Sequence, residues 1–207
     1  ETKAIFLYSN TPSPDFMFFR LAAVLIFLLA THVDGFSQDV SAILESALSK
    51  KDSAKLIFEE QRQHLKNRQD SGLYFYFLGR YQRSIGERRT AVESNLTALK
   101  FLTLESEPDY FIRAYNDLTY LESILGDWEK AMFYGQKAFE SARIAQDSNR
   151  MAYSLADMSI VYHDMEQYDK GVEFSKNGLK ILNSYSKTDP LIKAFVINAI
   201  AINFVDW

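Results

Sequence analysis

Apolar residues along this chain fall three and four positions apart in successive runs, each closed by a short polar or small-residue break. That is the period of an amphipathic helix rather than of a strand. From about Tyr110 to Ile124, Phe111, Tyr115, Leu118 and Leu121 mark one helical face. Leu125-Gly126-Asp127 interrupts the pattern. Gly126 can take the left-handed conformation that ends a helix, and Asp127 can cap a helix starting at Trp128. That second helix carries Ala131, Tyr134, Ala138 and Ala142 along one side, so its backbone can approach the preceding helix closely. The plan recurs downstream. Leu155, Met158 and Tyr162 mark a first helix, Gln167 a turn, and Tyr168, Gly171, Phe174 and Gly178 a second helix. Upstream, Ile43, Leu44, Ala47 and Leu48 precede Lys50-Lys51-Asp52, and Ala54, Ile57, Phe58 and Leu65 follow, predicting a further pair.

The runs are copies of one unit. Ala91, Ala131 and Gly171 lie forty apart, as do Ala98, Ala138 and Gly178, and Leu78, Leu118 and Met158. Gly86 and Gly126 form a fourth column, with Glu166 in third place. A repeat of this length buries its apolar face only by stacking on its neighbours. The predicted fold is therefore all-α: a right-handed α-solenoid of stacked antiparallel helix pairs, about nine helices in all. Full repeats are expected at 71–108, 109–147 and 148–188, with the first helix of a fourth at 189–207. A degenerate pair over 38–70 would shield the first stacked face.

These positions resemble the tetratricopeptide repeat (TPR). Its pattern is a Leu-Gly pair, an aromatic three further on, a Gly turn, an aromatic-x-x-Ala run and a second Ala seven later. The first unit matches at Leu78, Gly79, Gly86, Ala91 and Ala98. The second matches at Leu118, Gly126, Trp128, Ala131 and Ala138, and the third at Met158, Tyr162, Tyr168, Gly171 and Gly178. Ile200-Ala201 and Phe204 open a fourth. Thr119 and Ser159 replace the small Gly, Gln82 and Glu122 the aromatic, and Arg88 the Tyr or Trp of the second helix. The period of about forty exceeds the usual thirty-four; longer second helices would absorb the difference. In this the chain is similar to bacterial long-period TPRs from N-terminal regions of sensor kinases and transcriptional regulators. The resemblance spans roughly Leu73 to Trp207 and implies a binding scaffold. In such proteins the array precedes a transmembrane helix, then a coiled coil with a histidine kinase or a helix-turn-helix output domain.

The ends read differently. Leu21 to Ala30 is an unbroken apolar run behind Met17-Phe18-Phe19-Arg20, and Gly35-Phe36-Ser37 offers small residues for cleavage before Gln38. Residues 17–37 thus have the pattern of a secretory signal peptide; an uncleaved anchor over Phe16 to Ala30 is the alternative. Residues 1–16 then read as leader translated ahead of the true start. At the other end, Leu191, Phe195, Ile197, Ile200 and Phe204 lie on a helix without a second helix to pack on. The expectation is a chain that continues past Trp207, or a residual patch covered by self-association.

The remaining 170 or so residues suffice for one elongated domain. A formal charge of −4 offers no basic footprint for nucleic acid. With no Cys there is neither a disulfide framework nor a thiolate metal site. His32, His64 and His163 stand apart, and no second ligand accompanies His163-Asp164 at metal spacing. Nucleophile elbows and phosphate-cradling Gly loops are missing, and Gly79 and Gly86 hold repeat positions. Asn95-Leu96-Thr97 fits a glycosylation triplet that is common by chance. No catalytic residue, cofactor or metal is expected, and no enzyme activity in this segment.

A stacked array instead offers a groove lined by its first helices. The register puts Tyr76, Phe77, Arg80 and Arg83 there from the first unit. The second supplies Arg113, Asn116, Asp117 and Tyr120, the third Tyr153, Asp157, Ile160 and His163, and Asn198 continues the row. Arg and Tyr are the types enriched at binding hot spots, although aromatic residues at these places equally serve inter-repeat packing. The expected partner is a protein or peptide, with membrane contact only through the signal segment or a downstream helix. The function expected is an exported scaffold, periplasmic or facing the envelope, forming the sensory region of a longer signalling protein. A stand-alone envelope adaptor is the alternative, and an enzyme with a downstream catalytic domain a third.

Overall fold

The computed structural model describes residues 40–49 and 51–205. Over these the chain forms α1 (40–49), α2 (Lys51–Arg62), α3 (Arg68–Ser84), α4 (Arg88–Phe101), α5 (Pro108–Ile124), α6 (Trp128–Ile144), α7 (Ser148–Asp164), α8 (Tyr168–Asn183) and α9 (Pro190–Val205). Among the described residues there is no strand. The expected leader and signal segment, 1–37, lie outside them. None of the described helices is long and apolar enough to cross a membrane.

The helices pack as an α-solenoid. α3 lies on α4, α5 on α6, and α7 on α8. Each pair then stacks on the next through α4–α5, α6–α7 and α8–α9, while α3, α5, α7 and α9 also touch in sequence. Each unit contacts little beyond its neighbours, which is the defining property of a repeat array. α2 closes the first end, its Phe58 ring resting on Tyr74 and Tyr81 of α3 at 5.9 and 5.3 Å.

What sets the spacing within a pair is the size of facing residues. Ala91, Ala98, Ala131, Ala138, Gly171 and Gly178 are all buried. Two other columns trade volume. Gly79 on α3 faces Asn95 on α4, and a Cβ on Gly79 would lie 2.6 Å from the Asn95 amide nitrogen. One repeat on, Thr119 takes the Gly79 position and Gly135 the Asn95 position; a Cβ on Gly135 would stand 3.4 Å from the Thr119 methyl. The departures from the small-Gly pattern are thus compensated across the helix pair. Gly171 likewise leaves room for Asn203 of α9, whose side-chain oxygen a Cβ would strike. Asn95 is wholly buried and donates its amide to the Ala91 carbonyl at 2.9 Å, so the asparagine of the glycosylation triplet is internal.

The turns repeat as faithfully. Gly86, Gly126 and Glu166 all have positive φ, 85°, 82° and 59°. Behind each, the following N–H reaches back to close the Schellman motif: Glu87 to Gln82, Asp127 to Glu122 and Gln167 to Tyr162, at 2.9, 2.9 and 2.8 Å. Glu166 therefore adopts the glycine conformation without being glycine. Asp127 then caps α6 by accepting from the Lys130 N–H at 3.1 Å, and Asp147 caps α7 through Arg150 at 2.9 Å. Trp128, the signature aromatic opening α6, is 41% exposed.

At the far end α9 buries Ile192, Val196, Ala199 and Asn203, while Leu191, Ile197 and Phe204 are exposed. Asn203 is wholly buried and donates to the Ser159 hydroxyl at 3.0 Å and the Ala199 carbonyl at 2.9 Å.

Two expectations follow for thermal denaturation followed by circular dichroism. Ala131→Leu overpacks the α5–α6 contact and should destabilise the chain by about 1–3 kcal/mol. Glu166→Gly should raise the melting temperature, because it removes a left-handed penalty of roughly 1–2 kcal/mol that partly outweighs the added unfolded-state entropy. A lower melting temperature for Glu166→Gly would mean that the strain is absent.

Candidate functional site

The first helices of the pairs, α3, α5, α7 and α9, together line a cavity of about 570 Å³. Arg80, Arg83 and Ser84 contribute from α3, Asn116, Asp117 and Tyr120 from α5, Tyr153, Asp157 and Ile160 from α7, and Phe195 from α9. Leu48 of α1 closes one side. A smaller adjoining hollow of about 110 Å³ adds Arg113 and Arg150 to several of the same residues.

The repeat places these side chains because positions forty apart project alike from stacked, equivalent helices. Arg80, Tyr120 and Ile160 form one such column, and Asp117 and Asp157 another. Ion pairs and hydrogen bonds then tie one first helix to the next. Arg83 pairs with Asp117 at 2.8 Å, joining α3 to α5, and its guanidinium lies 5.1 Å from the Tyr120 ring centre. Asp109 accepts from Arg113 of its own helix at 3.2 Å and from Arg150 of α7 at 2.7 Å. Ser154 donates to the Asn116 carbonyl oxygen at 2.9 Å, and Tyr153 stacks on Phe195 at 4.6 Å.

The carboxylates are not fully answered. Asp157 is 7% exposed, forms no ion pair among the described residues, and has one buried oxygen without a partner. The second oxygen of Asp117 and the amide nitrogen of Asn116 are likewise unpartnered. Burial, aggravated by the nearby Asp117 charge, pushes the Asp157 pKa well above the ordinary carboxylate range. Asp117 is also raised, because burial outweighs the Arg83 ion pair. The charge of Asp157, together with burial, raises the Tyr153 phenol, and burial first, then Asp117, pushes Tyr76 up to about 12. The result is a pocket rich in hydrogen-bonding capacity, with aromatic walls. No cluster of three His, Cys, Asp or Glu suited to a metal occurs among the described residues.

Eight of the expected groove residues are brought together: Arg80, Arg83, Asn116, Asp117, Tyr120, Tyr153, Asp157 and Ile160. Arg113 lines the adjoining hollow. Four are placed otherwise. Tyr76 is 1% exposed, its ring packed on Phe77 and Tyr110 at 5.1 and 5.3 Å with the Arg113 guanidinium over it. Phe77 is buried with it. His163, at the end of α7, turns to Asp164 at 3.5 Å and to the Tyr168 ring at 5.4 Å rather than into the cavity. Asn198 is exposed and not part of the lining, whereas Phe195, Arg150 and Leu48 are. Phe195 could have been found: α9 starts forty-two residues after α7 rather than forty, so a forty-two-residue step from Tyr153 lands on it.

No protein-family model matches this chain, and no curated protein matches it in sequence. Solved structures do match in fold. BtubC (BKLC) from P. vanneervenii superposes with a TM-score of 0.68 at 16% identity, over 90% of this chain and 79% of that one. A signal transduction ATPase with numerous domains (STAND) protein with a tetratricopeptide repeat sensor, from Pyrococcus horikoshii, gives 0.67 at 15% identity. That match covers 83% of this chain and 27% of the STAND protein, so this chain spans about a quarter of its length. At such identities the likeness is one of fold: a helical repeat consistent with TPR-like units.

The raised Asp157 pKa carries a sign. A folded-state pKa above the unfolded value means that the folded chain holds the proton more tightly, so stability falls as pH rises from the unfolded pKa toward the folded one. Asp157→Asn should therefore melt higher than the parent at pH 7, by about 1 kcal/mol. The gain should shrink below about pH 4, where the carboxyl is neutral in both states. A pH-independent difference in melting would show that the carboxylate is not charged against its surroundings.

Proposed function

We propose that this chain is a protein- or peptide-binding TPR-like scaffold without catalytic activity of its own, working through the groove between α3, α5, α7 and α9. The observation that carries the reading is the cavity itself: aromatic walls, an exposed Tyr120, and buried hydrogen-bonding groups left without partners. Tyr and Arg supply rigid area and forked donors to a peptide backbone or side chain. Unpartnered Asn116 and Asp157 atoms are the groups a bound chain would satisfy.

The scaffold serves, on this proposal, as the exported sensory region of a longer bacterial signalling protein, of the long-period TPR type. Export rests on the apolar run Leu21 to Ala30 and the small residues at Gly35 and Ser37. The signalling role is supported by the likeness to a STAND protein whose repeats are described as a sensor. Binding would select among curvatures of the array and pass the change along the last helix.

The test is selection of twelve-residue peptides from a phage library on the immobilised chain. Binders should lose at least about tenfold in affinity, roughly 1.4 kcal/mol, on Arg80→Ala and on Tyr120→Ala, both at lining positions outside the ion pairs described above. Peptides that bind both variants as tightly as the parent would place recognition elsewhere.

A further inference from the structure

We infer that α1 is a resident, displaceable occupant of the groove, and that the partner enters as a helix bearing the same apolar stripe in its place; this rests on the groove reading above. α1 reaches past α3, the nearest first helix, to α5. A side-chain hydrogen bond joins Ser41 to Tyr110, at the start of α5, one full repeat beyond α3. Glu45 acts on the same phenol electrostatically, as does Arg113, whose guanidinium lies 6.0 Å from the Tyr110 ring. Leu48 lines the cavity together with Tyr153 and Phe195.

Ser41, Glu45 and Leu48 are four and three residues apart and so share one face of the helix. Val40, Leu44 and Ala47, beside them, are buried at 3%, 0% and 0% exposure. Leu73 and Phe77 of α3 are buried as well, whereas their counterparts one repeat on, Arg113 and Asp117, are only partly buried and border the smaller hollow. α1 thus lies against the start of α5 and leaves the α7–α9 end of the groove open.

That asymmetry supplies the driving force for exchange. A helix of ten residues spans about 15 Å and is not stable in isolation, so α1 owes its form to this surface. α2 begins at Lys51, two positions past Ser49, so α1 has no room to extend along the groove. Beyond Leu48, Tyr120, Ile160 and Phe195 line the cavity that it leaves unfilled. A partner helix with α1's stripe, continued by one or two apolar turns, would gain those contacts. α1's advantage is its tether, which raises its effective concentration; the extra turns are the differential affinity that exchange requires.

The probe is a fluorescein-labelled peptide of residues 38–50, added to the full chain and followed by anisotropy. Leu44→Asp in the chain should expel α1 and raise peptide affinity at least about tenfold over the parent, and Leu44→Asp in the peptide should abolish binding. A Leu44→Asp chain that keeps its helicity and melting but binds the peptide no better than the parent would overturn the inference. Because the chain has no cysteine, Ser41→Cys with Tyr110→Cys can be bridged by a short bis-maleimide, fixing α1 without disturbing its apolar stripe. Bridging should block both this peptide and the library peptides that depend on Arg80 and Tyr120. Library peptides that bind bridged and unbridged chains alike would sink displacement while leaving the groove reading intact. Library peptides indifferent to Arg80 and Tyr120 would instead sink the groove reading. Concentration-dependent dimers formed by exchanged α1 helices would identify a second copy as the occupant, and would also overturn the inference.

Discussion

The distance between the two helices of each pair governs the rest of this molecule, and it is held by residues that have almost no side chain. Where the backbones approach most closely, volume on one helix is matched by its lack on the other: Gly79 against Asn95, then Thr119 against Gly135. Protein interiors are packed too tightly for both members to be large. Once that distance is fixed, successive pairs can stack with one geometry, and columns of side chains forty residues apart come into line. Arg80, Tyr120 and Ile160 line one cavity only because Ala91, Ala131 and Gly171 keep their units alike.

Polar contacts between units follow from that register. Arg83 with Asp117, Asp109 with Arg150, Ser154 with Asn116 and Asn203 with Ser159 each join one first helix to the next. Individually these are modest, and the half-exposed pairs contribute little to stability. Their effect is orientation. The first three hold guanidinium, amide and carboxylate groups around one hollow, where several keep an unsatisfied atom. Such atoms weaken the fold, since a buried polar group without a partner costs about 1–3 kcal/mol. An array whose stability is spread over many equivalent interfaces can carry that loss locally.

The repeat was legible in the sequence because its determinants are backbone and volume requirements. Alanine, glycine and turn residues at forty-residue spacing leave few alternatives, and even Glu166, which breaks the glycine column, keeps the left-handed turn. The groove was legible only where the register is strict. Phe195 was missed because the longer link before α9 shifts the column by two, and Arg150 because a long side chain reaches the site from a helix start. Tyr76 was misplaced for a different reason. Periodicity gives the direction of a residue from its helix, but not what lies above it, and Tyr110 and Arg113 cover that ring. His163 shows the same limit at a helix end, where its ring finds Tyr168.

α1 was the least legible element. Its apolar residues predict a helix, and a degenerate pair at the end of a solenoid is naturally read as a cap. α2 rests its Phe58 ring on Tyr74 and Tyr81 of α3. α1 reaches Tyr110 and the cavity, contacts with a sequence separation of about seventy and more, which no local pattern encodes. A solenoid makes this possible because its first helices leave a face uncovered along the whole array. Any segment of the chain long enough to fold back and apolar enough to gain from burial will compete for that face with whatever the face is meant to bind. The same surface therefore sets both the resting arrangement of the N-terminal helix and the chemistry of an incoming partner, and neither can change without the other.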